Sequence, residues 1–135
     1  MWGLVAGQSF DLGGWKISVG ETFRDYAAIV VTSLDGKALE QSKRILLTAV
    51  GSAQNRDMVW NEDRTSVGDQ WGTGPTQVNG IGLTVTFHGA GVRKAYALDG
   101  RGARIKEIGL ASRERGVWTL HAGPEHKTLW YELAP

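Results

Sequence analysis

Apolar residues recur at every second position along much of this chain, and that spacing limits its fold more than any other feature. Trp15, Ile17 and Val19 alternate with Lys16 and Ser18. Leu83, Val85 and Phe87 alternate with Thr84, Thr86 and His88, and Leu129, Tyr131 and Leu133 with Thr128, Trp130 and Glu132. Successive side chains of a strand point to opposite faces, so each segment should bury one face and wet the other. Residues 27–32 and 45–50 are continuous apolar runs, which suits strands in the middle of a sheet. Turn residues punctuate the runs at Gly13-Gly14, Asp35-Gly36, Asn79-Gly80, Asp99-Gly100 and Ala122-Gly123-Pro124. The Asp-Gly and Asn-Gly pairs supply the positive φ angles of tight turns, and residues 113–116 read as a charged hairpin tip.

The pattern predicts strands near 3–7, 9–12, 15–19, 26–34, 43–51, 77–79, 82–88, 92–98, 104–110, 116–121 and 128–133. No segment keeps helical periodicity over three turns, and only residues 37–43 offer a short helical turn. The expected fold is therefore all-β: an antiparallel, jelly-roll-like β-sandwich of about ten short strands, with a closed barrel as the competing architecture. A length of 135 residues, with no repeat or linker, argues for a single domain over 1–135.

Charge narrows the function classes. Fifteen basic and 14 acidic residues leave a net charge of +1, which gives no electrostatic reason to expect nucleic acid or a membrane surface as partner. The chain has no cysteine, so disulfides, thiolate metal sites and thiol nucleophiles are excluded. No apolar run reaches membrane-spanning length, and Met1-Trp2-Gly3-Leu4 does not open a signal peptide.

Residues 58–75 form a long Gly-rich polar stretch with no regular periodicity, and it carries Trp60 and Trp71. Compact domains rarely keep so long a loop without a use for it. An indole stacks on the C–H face of a sugar while nearby polar groups take its hydroxyls. Trp60 and Trp71 with Asn61, Glu62, Arg64, Asp69 and Gln70 are therefore candidate ligand-binding residues. Equally, either indole could plug an open end of the sandwich. Trp15 and Trp118 are in phase with core residues, whereas Trp130 is out of phase with Tyr131 and Leu133. Trp130 is thus either an eighth ligand contact or a cover over the sheet. Trp2, at the terminus, fits either reading.

Catalytic patterns are weak. Glu62-Asp63 with Asp57 and Asp69 lack the fixed spacing that a carboxylate pair needs in a glycosidase. The same oxygens could hold a structural calcium, although no Asp-x-Asp-x-Asp-Gly loop is present. No other cofactor is indicated. His88, His121 and His126 show no metal-ligand spacing, and no nucleophile elbow or phosphate-cradling loop occurs.

Three stretches together resemble the β-sandwich accessory domains appended to bacterial glycoside hydrolases that degrade plant polysaccharides. They are residues 32–37 leading into 43–51, residues 60–66 through 71–76, and residues 127–132. The resemblance spans about residues 27–132. It implies an extracellular, non-catalytic carbohydrate-binding module that recognises β-glucan chains such as cello-oligosaccharide or xyloglucan. It also implies a catalytic glycoside hydrolase domain as partner in the parent protein. A domain that only braces such a catalytic domain, without binding sugar itself, is the alternative.

Overall fold

The alternating segments form strands in a computed structural model that describes residues 1–89 and 91–135, the side chain of Arg113 excepted. The strands are β1 (Trp2–Leu4), β2 (Ser9–Asp11), β3 (Trp15–Val19), β4 (Tyr26–Ser33), β5 (Ile45–Val50), β6 (Ala53–Arg56) and β7 (Thr73–Val78). They continue with β8 (Leu83–His88), β9 (Lys94–Leu98), β10 (Arg104–Ile108), β11 (Ala111–Glu114), β12 (Val117–Ala122) and β13 (Trp130–Ala134). Among the described residues the only helices are short 3-10 turns at Phe23–Asp25 and Pro124–His126.

The strands make two packed antiparallel sheets and a separate hairpin, so the fold is a β-sandwich. One sheet has six strands in the order β1-β4-β5-β13-β9-β10, and the other has five in the order β11-β12-β8-β3-β2. The chain moves between the sheets after β1, β3, β8, β10 and β12, and passes from β5 to β8 by way of β6 and β7. β6 and β7 pair only with each other.

Cross-strand rows build the core from both inner faces. In the five-stranded sheet, Ile17, Val85 and Leu120 are opposite one another, as are Val19, Leu83 and Ala122. Trp15 and Phe87 are directly paired and stack with ring centroids 4.6 Å apart. In the six-stranded sheet one row is Val31, Leu47, Tyr131 and Ala97, and the next has Ile45, Leu133 and Ala95. Small Ala97 beside Tyr131 leaves room for the ring. The Tyr131 hydroxyl donates to the Gly123 carbonyl at 3.1 Å, so the one polar atom of this buried ring is satisfied. Trp15 is buried as its phase predicts, and Trp118 packs half-buried against the same core.

The short turn expected within residues 37–43 is present as one isolated turn, in which the Gln41 and Ser42 N–H groups both donate to the Ala38 carbonyl. Asp35 organises the segment around it, its carboxylate accepting from Ser33, Ser42 and the Lys37 and Lys43 backbones. Two expectations need correction. First, β6 and β11 exist where no strand was expected, and β7 starts at Thr73 rather than near 77. All six β7 residues are exposed, so no buried face imposes alternation on the sequence. Second, residues 58–75 are not a structureless loop. The Val59 N–H donates to Gln70 O at 3.1 Å and the Asn61 N–H to Ser66 O at 2.9 Å, which extends the β6–β7 hairpin toward its tip.

Gly72 is where that hairpin closes on itself. Its φ is +68°, and a Cβ there would collide with the backbone at Arg56, Asp57 and Met58. Gly72→Ala should destabilise the hairpin by about 2 kcal/mol or more, from the backbone strain plus this overlap. Faster amide hydrogen exchange at Val59 and Asn61 would report it. Unaltered exchange would show that the close approach does not hold the hairpin.

Candidate functional site

The hairpin brings four of the candidate residues together. Trp60, Asn61, Glu62 and Arg64 line one open depression of about 450 Å³, together with Phe23, Arg24 and Gln54. Trp60 is half-buried, and the Arg24 guanidinium lies over its ring at 5.0 Å and over Phe23 at 5.1 Å. One indole face is therefore already covered by a cation. Its N–H is enclosed, with no acceptor among the described residues. This arrangement anchors the hairpin to the 3-10 turn more than it offers a ring to solvent.

Asn61 is also occupied. Its Oδ1 accepts from the Thr65 and Ser66 N–H groups at 2.8 and 3.1 Å, and its Nδ2 donates to Thr65 Oγ1 at 3.0 Å. An Asn side chain that mimics a backbone turn in this way shapes the tip. Trp71 is on the opposite limb, 61% exposed, with its carbonyl held by Asn55 Nδ2 at 3.0 Å. Asp69 and Gln70 are exposed near it, and none of these three lines the Trp60 depression. The hairpin thus separates the two indoles by function: Trp60 supports it, and Trp71 is presented to solvent.

Trp130 occupies a different site, on the outer face of the six-stranded sheet. Two open depressions, of about 450 and 360 Å³, meet at this residue and share Leu98, Asp99 and Gly100. The first has Thr76 and Val78 of β7 on one side and the β9–β10 turn on the other, with Lys127, Thr128 and Leu129 at its base. The second continues along the sheet to Leu34, Arg44, Leu46 and Glu132. Together they make a groove with a half-buried indole at its midpoint. Thr128 fixes the approach to that indole: its Oγ1 donates to Leu98 O and accepts from Trp130 N–H at 3.1 Å.

Beside Trp130 on the same face is Glu132, only 4% exposed. Its Oε2 takes Arg104 Nε at 2.6 Å, and its Oε1 takes Arg44 Nε and Nη2 at 3.0 and 2.9 Å. Arg104 also lies over the Tyr96 ring at 4.0 Å. The Arg104 hydrogen bond, with Arg44 adding to it, holds the Glu132 carboxyl below its ordinary value despite burial. Asp99 is lowered too, by the backbone N–H groups of Ala103 and Arg101. Sequence reasoning had Trp130 but missed Arg44, Tyr96, Arg104 and Glu132. One signal was available: Arg44, Leu46 and Thr48 share the outward phase of β5, as Trp130 and Glu132 share that of β13. The pairing between strands was needed to bring these sets together.

Among the described residues no group of three or more His, Asp or Glu side chains is placed to hold a metal ion. The loop carboxylates Asp57, Glu62, Asp63 and Asp69 are all exposed. No helix is long and apolar enough to cross a membrane.

Acid should weaken the Glu132 cluster in a defined window. A carboxyl held below its unfolded value stabilises the fold at pH above that value, here 4.5, and loses its contribution as pH falls further. Glu132→Gln should therefore cost about 1.5–3 kcal/mol at pH 7, the range for hydrogen bonds to charged groups. The gap to the unsubstituted protein should narrow below pH 4.5 in denaturant unfolding curves. A gap that stays constant with pH would contradict the assignment.

Compared with known proteins, the chain matches no protein-family model, no curated protein and no solved structure.

Proposed function

We propose that this domain is a non-catalytic carbohydrate-binding module whose groove over Trp130 holds a glycan chain. The observation that carries the reading is the position of that indole: half-exposed, in mid-groove, on a central strand, with polar side chains on either side. A ring so placed can stack on the apolar face of a pyranose while the flanking groups take its hydroxyls. A binding site on paired strands is held more firmly than one on a loop. The resemblance of residues 27–132 to accessory domains of glycoside hydrolases points the same way. It makes β-glucan chains, such as cello-oligosaccharide or xyloglucan, the first ligands to consider. On this reading the module is extracellular, makes and breaks no bond, and keeps an attached glycoside hydrolase near its polymer. Stacking and exposed hydrogen bonds of this kind give affinities of roughly micromolar to millimolar order. Tethering makes such weak binding useful by raising the local substrate concentration.

A second reading has its own observation. Trp2 is 78% and Leu4 71% exposed on the outer face of edge strand β1, beside Val30 of β4. Apolar side chains collected on one face suit a domain that braces a catalytic neighbour.

Titration calorimetry with cellohexaose, xyloglucan and laminarin separates the two. The binding-module reading expects measurable affinity for at least one glycan, weakened about tenfold or more by Trp130→Ala. No heat with any glycan would leave the bracing role. The hairpin indoles give a further division. Trp71→Ala should leave thermal stability unchanged and weaken glycan retention in affinity gels only if the hairpin reaches the ligand. Trp60→Ala should lower the melting temperature, because it removes the ring beneath Arg24. A Trp60→Ala protein as stable as the parent would contradict the anchoring role.

A further inference from the structure

The groove over Trp130 is unevenly supplied with hydrogen-bonding groups. Arg44 and Lys127 line it, Arg104 meets Arg44 across Glu132, and Arg101 reaches Asp99 at 3.7 Å. These four cations are opposed by two carboxylates. Both are already engaged: Glu132 by the two guanidiniums, and Asp99 by the Arg101 and Ala103 N–H groups, each within 2.9 Å. Glu132 accepts on both oxygens and Asp99 on Oδ1, which leaves Asp99 Oδ2, 3.7 Å from Arg101 Nε, as the one carboxylate oxygen of the pair without a hydrogen bond, while several donors remain. Each guanidinium carries five N–H groups in a planar fork, and Glu132 uses only the Nε and Nη2 atoms of Arg44 and the Nε of Arg104. Arg44 and Arg104 are 57% and 46% exposed at their side chains, so the unused donors face solvent. Burial of Glu132 between them, and the Tyr96 ring under Arg104, fix both forks before any ligand arrives.

We infer that the groove selects a glycan carrying a carboxylate, a uronate-bearing chain, over its neutral counterpart. The inference rests on the carbohydrate-binding reading given above and names the ligand class of that same groove. Trp130 takes the apolar face of one sugar ring. Glu132 is two residues along the same strand, roughly 7 Å away. A neighbouring sugar unit therefore falls over the Arg44 end, where its carboxylate receives the free guanidinium N–H groups. Planar bidentate pairing of this kind is what Arg does and Lys does not. A neutral hydroxyl at that point gains less, since Glu132 beside it already accepts on both oxygens and an uncharged oxygen makes a weaker hydrogen bond with a guanidinium than a carboxylate does.

The test compares ligands that differ only in the carboxylate. Calorimetric titration would use the full chain with cellohexaose and with cello-oligosaccharide oxidised at C6 to glucuronate. A methylglucuronic acid-substituted xylo-oligosaccharide and its carboxyl-reduced form provide a second pair, in which the acid is on a branch. The acidic member should bind about tenfold more tightly at low salt, with the preference shrinking as ionic strength rises. Arg44→Gln should weaken the acidic ligand far more than the neutral one and so erase most of the preference. Lys127→Gln, at an exposed position, should reduce it less and gives a variant whose folding is not in question. Equal affinity for neutral and acidic members would overturn the inference and leave the glycan-binding reading standing. Failure of every glycan to bind would overturn both.

Discussion

Burial of Tyr131 and Leu133 at the centre of the six-stranded sheet sets the position of everything on its outer face. β13 is held between β5 and β9, with Tyr131 opposite Leu47 and Ala97 and Leu133 opposite Ile45 and Ala95. Side chains alternate strictly along a strand, so these inward residues force Trp130 and Glu132 outward. A slip of one residue would turn the Glu132 carboxylate away from its two arginines into the apolar core and expose two core side chains, which makes the register strongly specified. The groove is thus a by-product of core packing, and it is as rigid as the core. Arg44 and Arg104 complete it from the ends of β5 and β10.

Such a site differs in kind from the hairpin that first draws notice in the sequence. The hairpin has backbone pairing and a tip shaped by Asn61, but most of its residues are exposed and its two strands pair with no other. Its attachment to the body includes the Phe23–Arg24–Trp60 stack. Strand β7 nevertheless contributes Thr76 and Val78 to one side of the groove. Hairpin and sheet face therefore border the same groove, where a long ligand over Trp130 would touch both.

Alternation made the β-sandwich, its main strands and the outward position of Trp130 legible, because a buried face leaves a period of two in the sequence. β6, β7 and β11 left no such trace. β7 is exposed throughout, so no buried face imposes a period of two on its sequence. The ion cluster was illegible for another reason. Glu132 and Arg44 are separated by 88 positions and Glu132 and Arg104 by 28, and only the strand order β5-β13-β9-β10 brings them together. The covering of Trp60 by Arg24 depends on Arg24 at a φ of +61°, a backbone state that its side chain does not advertise.

The proposed function depends on the Trp130 ring meeting the ligand. The six indole N–H groups offer a direct view through two-dimensional nitrogen–proton NMR during titration with cellohexaose and its oxidised form. The Trp130 indole signal should shift and saturate with the bulk binding curve, while that of Trp15, sealed in the core, stays still. A glycan that saturates the protein without moving the Trp130 signal would contradict the account.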